Sequence, residues 1–332
     1  MQRSYFALPR ALGAALVALF AAGCATGSGV TTAPVAYSVS TVPVALQSEL
    51  RPAVHPLSRG AGWLSPAAKK CKQKLYVSSY VLGYVAIYCT KGHNQPPIGE
   101  ITSGISGPEG ANTDSKGNLY ITNTRGNTVT EYAPGSVNPS FTYSSGLGAP
   151  AGVAVDSKQN VYVSSLSPAS VKVFPQGSNT PGVTITNLTY PIDVALDPSA
   201  NLYVTSYTAG FTNGEIVEYS PGSTNGTNLG IVTGAPGGIA LDEAGDIVTA
   251  DQHLPGVLVF PPGKTAPSLT FAQNTLDPDP VRFLANEKQV YVGDAVGNAV
   301  YVYDYPSGKL VDTITDGIDG PNGLALDPAP PL

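Results

Sequence analysis

Charged and amide side chains stand one or two residues after prolines that recur along this sequence. Four positions share this feature: Glu109, Asp193, Arg282 and Asn322. Charged side chains at such positions indicate either a local ion pair or a contact with a ligand. The sequence thus offers two roles here: a structural ion pair or ligand recognition.

A second set of polar residues follows apolar, mostly tyrosine-containing stretches. Asn123, Asp251 and Asp294 each end such a stretch, and His253 comes shortly after one of them. Asp251 and Asp294 either contact a ligand or cap the backbone of a nearby loop. Together the two sets are the candidate ligand-binding residues: Glu109, Asn123, Asp193, Asp251, His253, Arg282, Asp294 and Asn322.

Most other carboxylates recur at one fixed place, where a tight turn begins. They are Asp114, Asp156, Asp197, Asp242 and Asp327, with Asn286 as the substitute. A carboxylate that opens a turn accepts backbone N–H groups, so we interpret them as structural. The three histidines are dispersed, which disfavours a zinc site, and no Ser-His-Asp set or phosphate-binding loop is present. We therefore assign no catalytic residue.

The elements that must position these residues form a repeat of 41 to 45 residues. An apolar stretch recurs, centred on Tyr76, Tyr120, Tyr162, Tyr203, Val248 and Tyr291. A proline recurs at Pro108, Pro150, Pro191, Pro236, Pro280 and Pro321. Four short strands in a unit of this length are typical of a propeller blade. The sequence predicts an all-β protein: a six-bladed β-propeller over residues 71–328.

The order of strands predicts how the ring closes. The repeat begins with the second strand (b) of a blade and ends with a lone first strand (a), which should complete the first blade. In a four-stranded blade the d–a and b–c loops lie on one face, and strand a lines the channel. The candidate residues should meet at one channel mouth. Positions 110, 152, 238 and 323 are glycine, and we assign Asp193 and Arg282 to the same slot.

Composition limits the partners. The chain has 332 residues, a formal net charge of −6 and 12% charged residues. No basic stripe is present that could meet phosphates, so we expect no nucleic-acid partner. We expect a monomer that binds a protein or a small molecule.

The N-terminus predicts export. Arg3 and Arg10 precede a short apolar run, as in a signal peptide. The run ends in Ala-Ala-Gly before Cys24, which resembles a bacterial lipobox. The resemblance implies that residues 1–23 are removed, that Cys24 is lipidated, and that the protein is anchored to a membrane of the cell envelope, on its periplasmic or outer-membrane side or at the cell surface. Residues 24–70 would be a flexible tether.

The two remaining cysteines, Cys71 and Cys89, predict a disulfide. An even pair outside the cytoplasm favours a bond, and a hairpin that turns near Gly83 would place Cys89 beside the strand that follows Cys71. The alternative is two free thiols.

The stretches GPEG…DSKGNLYITN and APAGVAVDSKQNVYVSS resemble NHL-type propeller repeats. The resemblance covers residues 75–327 and implies the fold; the function that we infer is a non-enzymatic binding or scaffold module. A second resemblance, to gluconolactonase and paraoxonase propellers, implies the alternative of a Ca²⁺-dependent hydrolase that uses Glu109, Asp193 and Asn322. A third, to virginiamycin lyases, is at the level of fold.

Overall fold

In the computed structural model, residues 62–253 and 256–329 are described. Residues 1–23, Cys24 and the tether up to residue 61 lie outside the described residues. Six antiparallel sheets form a ring, as the repeat predicted. In the described part of the chain, no helix has the length and apolar character needed to cross a membrane.

Strands are numbered in chain order, and each blade is given from its inner strand outwards. Blade 1 contains β25 (Pro321–Asp327), β2 (Lys74–Ser79), β3 (Tyr84–Cys89), β4 (Gly99–Ile101) and β1 (Trp63–Leu64). Blade 2 contains β5 (Pro108–Thr113), β6 (Leu119–Asn123), β7 (Thr128–Tyr132) and β8 (Phe141–Tyr143). Blade 3 contains β9 (Pro150–Val155), β10 (Val161–Leu166), β11 (Ala169–Phe174) and β12 (Val183–Ile185).

The other three blades follow the same order. Blade 4 contains β13 (Tyr190–Leu196), β14 (Leu202–Tyr207), β15 (Gly214–Tyr219) and β16 (Thr227–Thr233). Blade 5 contains β17 (Pro236–Leu241), β18 (Ile247–Asp251), β19 (Gly256–Phe260) and β20 (Leu269–Phe271). Blade 6 contains β21 (Pro278–Phe283), β22 (Gln289–Asp294), β23 (Ala299–Asp304) and β24 (Lys309–Ile314).

Blade 1 closes the ring, as the order of strands predicted. Its inner strand β25 pairs antiparallel with β2, from Lys74 opposite Asp327 to Ser79 opposite Pro321. Apolar residues of blades 1 and 6, among them Leu75 and Leu324, form one buried cluster. The core therefore lies between neighbouring blades, and closure buries both sides of the joint.

Part of the segment assigned to the tether belongs to the propeller. β1 pairs with β4 at the outer edge of blade 1, and a short helix, α1 (Pro66–Lys70), follows it. Residues 62–70 are therefore not a flexible tether, because strand pairing holds them to the first blade. Directly after α1, Cys71 is joined to Cys89 by a disulfide with the two Cα atoms 5.8 Å apart.

Each inner strand contains a β-bulge directly after its opening proline. In blades 2 to 6 the proline pairs with the end of strand b, and regular pairing resumes three residues later, as with Pro108 opposite Asn123 and Ala111 opposite Ile121. In blade 1 pairing resumes two residues after the proline, with Pro321 opposite Ser79 and Gly323 opposite Ser78. A bulge re-aims the side chains of the inserted residues, so here it decides what faces the channel.

The register corrects the alignment of blade 6. Pro278, not Pro280, pairs with the end of strand b, opposite Asp294. Pro280 therefore occupies the slot of Gly110 and Asp193. Arg282 pairs with Tyr291, as Asn112 pairs with Tyr120, so it stands two residues further along the strand and our assignment of Arg282 to the glycine slot was wrong.

Ring closure predicts a contrast between two leucines. Leu324 of β25 is fully buried, whereas Leu310 of β24 is 47% exposed. Leu324→Ala should lower the free energy of unfolding by roughly 2–5 kcal/mol, because it opens a cavity at the closing joint, and Leu310→Ala by under about 0.5 kcal/mol. Urea denaturation measures both.

A chain that ends at residue 318 lacks β25 and should not fold. An unchanged melting curve for that chain would refute closure by this strand.

Candidate functional site

The bulge residues of the six inner strands surround the channel. Glu109, Asp193, Arg282 and Asn322 all line one cavity there, as the sequence predicted. Asp279, which the misaligned proline had hidden, lines it too. The cavity encloses about 20 Å³, enough for about one water molecule. The channel is thus nearly filled by its own side chains.

An ion pair crosses this channel. The two terminal nitrogens of Arg282 lie 3.0 and 3.4 Å from the carboxylate oxygens of Asp193. Arg282 also donates to the carbonyl groups of Ile239, Val281 and Ala111, which belong to blades 5, 6 and 2. The side chains of the pair are only 11% and 9% exposed. One guanidinium therefore ties together four blades at the centre of the ring.

Glu109 has a raised pKa. Burial raises its pKa to about 7, the hydrogen bond from the Thr124 hydroxyl opposes this shift, and the nearby charge of Asp193 adds to it. The hydroxyl of Thr124 lies 2.6 Å from Glu109 Oε2 and 2.7 Å from the carbonyl oxygen of Pro150. A hydroxyl has one proton and can donate to only one of these acceptors. Ionised Glu109 competes with Pro150 for the Thr124 proton, whereas the protonated acid can donate to Thr124, which then donates to Pro150.

Two further carboxylates complete an acidic group. Burial raises the pKa of Asp279 well above its ordinary value, with added effects of Glu109, Asp277 and Asp193 that Arg282 opposes. Asp277 is 7% exposed, and burial followed by the charge of Asp294 raises its pKa to about 7. Had blade 6 been taken to start at Pro278, whose spacing is equally regular, the sequence would have pointed to Asp277 and Asp279, because these two residues flank Pro278.

The residues at the ends of strands b serve the loops. Asn123 Oδ1 accepts the N–H of Ser106 at 2.9 Å. Asp251 accepts the N–H groups of Gly234, Ala235 and His253. Asp294 accepts those of Leu276, Asp277 and Gly297. In all three cases the side chain holds the loop between two blades, which for Asp251 and Asp294 was the structural alternative. His253 is exposed on the same face.

Four of the five turn carboxylates hold a turn, as their spacing predicted, whereas Asp327 pairs with Lys74. Asp114 Oδ1 accepts the N–H groups of Lys116 and Asn118 at 2.8 and 2.9 Å, and Asp156, Asp197 and Asp242 repeat the pattern.

The proposed Ca²⁺ ligands do not fit a metal site. Both carboxylate oxygens of Asp193 face the Arg282 guanidinium, whose positive charge would repel a cation beside it. Among the residues that the structure describes, no group of three or more His, Cys, Asp or Glu side chains is arranged to hold a metal. Glu109, Asp193 and Asn322 are thus brought together in the channel, but as part of an ion-paired plug.

The mouth of the channel has apolar and aromatic side chains in its loops. Val81 (b–c loop of blade 1), Phe211 (b–c loop of blade 4) and Leu276 (loop before blade 6) are 49%, 43% and 59% exposed. Phe211 stacks edge-on against Tyr190, and Tyr190 against Tyr207, with ring centroids 5.5 and 6.2 Å apart. These three rings form an aromatic trio beside the channel.

A larger cavity lies elsewhere. A groove of about 380 Å³ runs between blades 3 and 4 on the opposite face, where Tyr162, Tyr219 and the turn residues Pro175 and Pro221 line it. Its polar groups belong mainly to turns, such as Asp156, whose carboxylate already holds backbone N–H groups. The mouth is the face whose loops expose Val81, Phe211 and Leu276, although the groove is larger.

Comparisons with known structures support the fold. A chain in the crystal structure of a nidogen/laminin complex is similar, with a TM-score of 0.63 at 18% identity over 76% of this chain and 98% of that chain. A protein of unknown function from Bacteroides caccae has a TM-score of 0.61 at 12% identity, over 77% and 98%. Hydrazine synthase from Kuenenia stuttgartiensis has a TM-score of 0.58 at 16% identity, over 79% and 87%. No protein-family model matches this sequence, and no curated protein matches it.

Glu109 should make stability depend on pH. Its pKa is about 7 in the folded protein against an ordinary 4.5, so the folded state binds more protons between these values and stability falls as pH rises through that window. Glu109→Gln should therefore match the wild type at pH 4 and exceed its free energy of unfolding by roughly 2–3 kcal/mol at pH 8. Glu243→Gln, which changes an exposed carboxylate, is the control. A difference that stays constant from pH 4 to 8 would contradict a protonated Glu109.

The two partners of the channel ion pair should differ in cost. Arg282→Gln leaves Asp193 unpaired among other carboxylates and should cost roughly 3–5 kcal/mol. Asp193→Asn leaves Arg282 its three carbonyl acceptors and should cost under about 2 kcal/mol. Lys74→Gln, at the half-buried Lys74–Asp327 pair of 3.4 Å, should cost under about 1 kcal/mol. Denaturant unfolding at pH 8 measures all three, and equal costs for the channel pair would contradict this charge balance.

Proposed function

We propose that this chain is an exported, lipid-anchored, NHL-like propeller that binds a partner through its channel mouth and catalyses no reaction. The observation that carries the proposal is the distribution of exposed apolar side chains. Five large apolar residues are exposed among those described, and three of them, Val81, Phe211 and Leu276, lie in mouth loops. The other two, Val232 and Leu310, lie on outer strands. Apolar groups gathered on one face of a soluble fold favour a binding surface.

The engagement of the polar residues favours binding over catalysis. Asp193 and Arg282 neutralise each other, and Asn123, Asp251 and Asp294 hold loop backbone. A catalytic acid, base or nucleophile must be free to reach a substrate, and these side chains are committed to the fold. The similar structures include both a protein complex and an enzyme, so the fold itself does not choose between these roles.

The envelope location rests on sequence chemistry. The apolar run before Cys24 supports export and lipidation. A disulfide between Cys71 and Cys89 suits the oxidising compartments outside the cytoplasm. The proposal includes a monomeric propeller that faces the periplasm or the cell surface, with a protein or small-molecule partner and no nucleic acid.

Matched variants of the full-length protein test this function. A mouth variant (Val81→Ser, Phe211→Ser, Leu276→Ser) and an outer-strand variant (Val232→Ser, Leu310→Ser) should fold equally well, since all five side chains are exposed. Each is used to capture components of detergent-solubilised envelopes of the source cells. We expect the components that the wild type enriches to be lost with the mouth variant and retained with the outer-strand variant. Retention by both would refute the mouth as the binding surface.

A further inference from the structure

The groove between blades 3 and 4 has the size of a small-molecule site. It encloses about 380 Å³, whereas an apolar cavity of about 150 Å³ already holds one benzene molecule. Tyr162, Val183 and Ile185 of blade 3 line it, together with Leu202 and Tyr219 of blade 4. Cavities of this size with an apolar and aromatic lining bind small organic molecules.

The corresponding space between blades 2 and 3 is filled by aromatic rings. In β8, Phe141 and Tyr143 occupy the positions that Val183 and Ile185 occupy in β12. The ring centroid of Tyr143 lies 4.7 Å from that of Phe141 and 5.5 Å from that of Phe174 in blade 3. The groove is therefore the space that two aromatic rings fill between blades 2 and 3.

Blades 5 and 6 repeat the filled arrangement. Phe271 of β20 occupies the position of Ile185, and its ring centroid lies 5.2 Å from that of Tyr303 in blade 6. In blade 4 the residue that corresponds to Phe174 and Tyr303 is Tyr219, and its ring lines the groove. Aromatic pairs stabilise a contact beyond the area that they bury. A ring bound in the groove would thus make the contact with Tyr219 that a ring of the chain makes in the other two cases.

Lys158 supplies a positive charge at the groove. It lines the groove and is exposed, and its ammonium group forms no ion pair with any residue that the structure describes. The other charged side chain of the lining, Asp156, is engaged. Its carboxylate accepts the N–H groups of Lys158 and Asn160, the side-chain amide of Asn160 and the hydroxyl of Tyr162. The group that complements this groove is therefore an anion beside an aromatic ring.

We propose that the groove binds a small aromatic carboxylate of one or two rings. The rings take the place that Phe141 and Tyr143 fill in the neighbouring joint and contact Tyr219, and the carboxylate meets the Lys158 ammonium at the rim. The groove lies on the face opposite the channel mouth. The inference therefore adds a second binding site and does not depend on the proposed function.

The first test compares three ligands of one shape class: 2-naphthoate, its uncharged amide 2-naphthamide, and the saturated decahydro-2-naphthoate. Equilibrium dialysis against the full-length protein at pH 8 measures the affinity of each. We expect saturable binding of 2-naphthoate, and at least about threefold weaker binding of the uncharged and of the saturated ligand. No saturable binding of 2-naphthoate, or equal affinity for the three ligands, would overturn the proposal.

Filling the groove tests the location. Val183→Phe combined with Ile185→Phe copies the aromatic filling of blade 2 and should weaken binding of 2-naphthoate at least about tenfold, because the rings occupy the cavity. Thr184→Phe places a ring on the other face of the same strand, at an exposed position, and should change binding less than about twofold. If the double variant does not fold, Ile185→Phe alone copies Phe271 of blade 5. A folded variant with a filled groove that still binds 2-naphthoate as the wild type does would overturn the proposal.

Two equivalent lysines test the charge. Lys158→Gln removes the charge at the groove, and Lys116→Gln removes the charge at the same position of the turn in blade 2, where rings fill the joint; both lysines are exposed. Lys158→Gln should weaken binding of 2-naphthoate at least about threefold and leave 2-naphthamide unchanged, and Lys116→Gln should affect neither ligand. Equal losses for the two lysine variants would show a general attraction of anions and would overturn the proposal.

Discussion

The distance between one inner strand and the next is the constraint on which the ring depends. A Cβ atom at Gly110 would lie 2.1 Å from the carbonyl oxygen of Ala151 in the next blade, and one at Gly323 would lie 1.7 Å from that of Glu109. The bulge brings the backbone this close, and hydroxyl groups hold it there. Thr122 accepts the N–H of Gly110 and donates to the Ala151 carbonyl, both at 2.7 Å. Ser164 joins blades 3 and 4 in the same way.

Two blades have no glycine at this position. In blade 6 the slot holds Pro280, which has no N–H to satisfy. The strand beside it has Gly293 in place of the hydroxyl residue, and a Cβ there would lie 2.5 Å from the proline ring. In blade 4 the slot holds Asp193, whose carboxylate accepts the N–H of Ile239 and pairs with Arg282. The ion pair in the channel can therefore form because blade 4 has Asp193 at this position instead of glycine.

The fold could be predicted because its signals are local and repeated: a proline, an apolar strand, a turn carboxylate and a tyrosine strand. The site was harder to predict. Pro278 and Pro280 both fit a spacing of 41 to 45 residues, and only the hydrogen-bonded register distinguishes them. The choice of Pro280 misassigned Arg282 and concealed Asp277 and Asp279. The pairing of Asp193 with Arg282 joins residues 89 apart in the chain, and no repeat pattern specifies which blades meet across a channel. The sequence also left the roles of Asn123, Asp251 and Asp294 open. A side chain that caps a loop cannot be distinguished by its sequence position from one that contacts a ligand.

The pairing between β2 and β25 can form only after the chain has been made as far as β25. Lys74 and Asp327 are separated by 253 positions, so the strand that pairs with the first full strand emerges only after five other blades have been made. Until then β2 presents an open edge, and pairing over such a separation is slow. A chain interrupted at any earlier point keeps that edge exposed to chaperones and proteases. The ring therefore distinguishes a finished molecule from a fragment by its topology, without any dedicated signal.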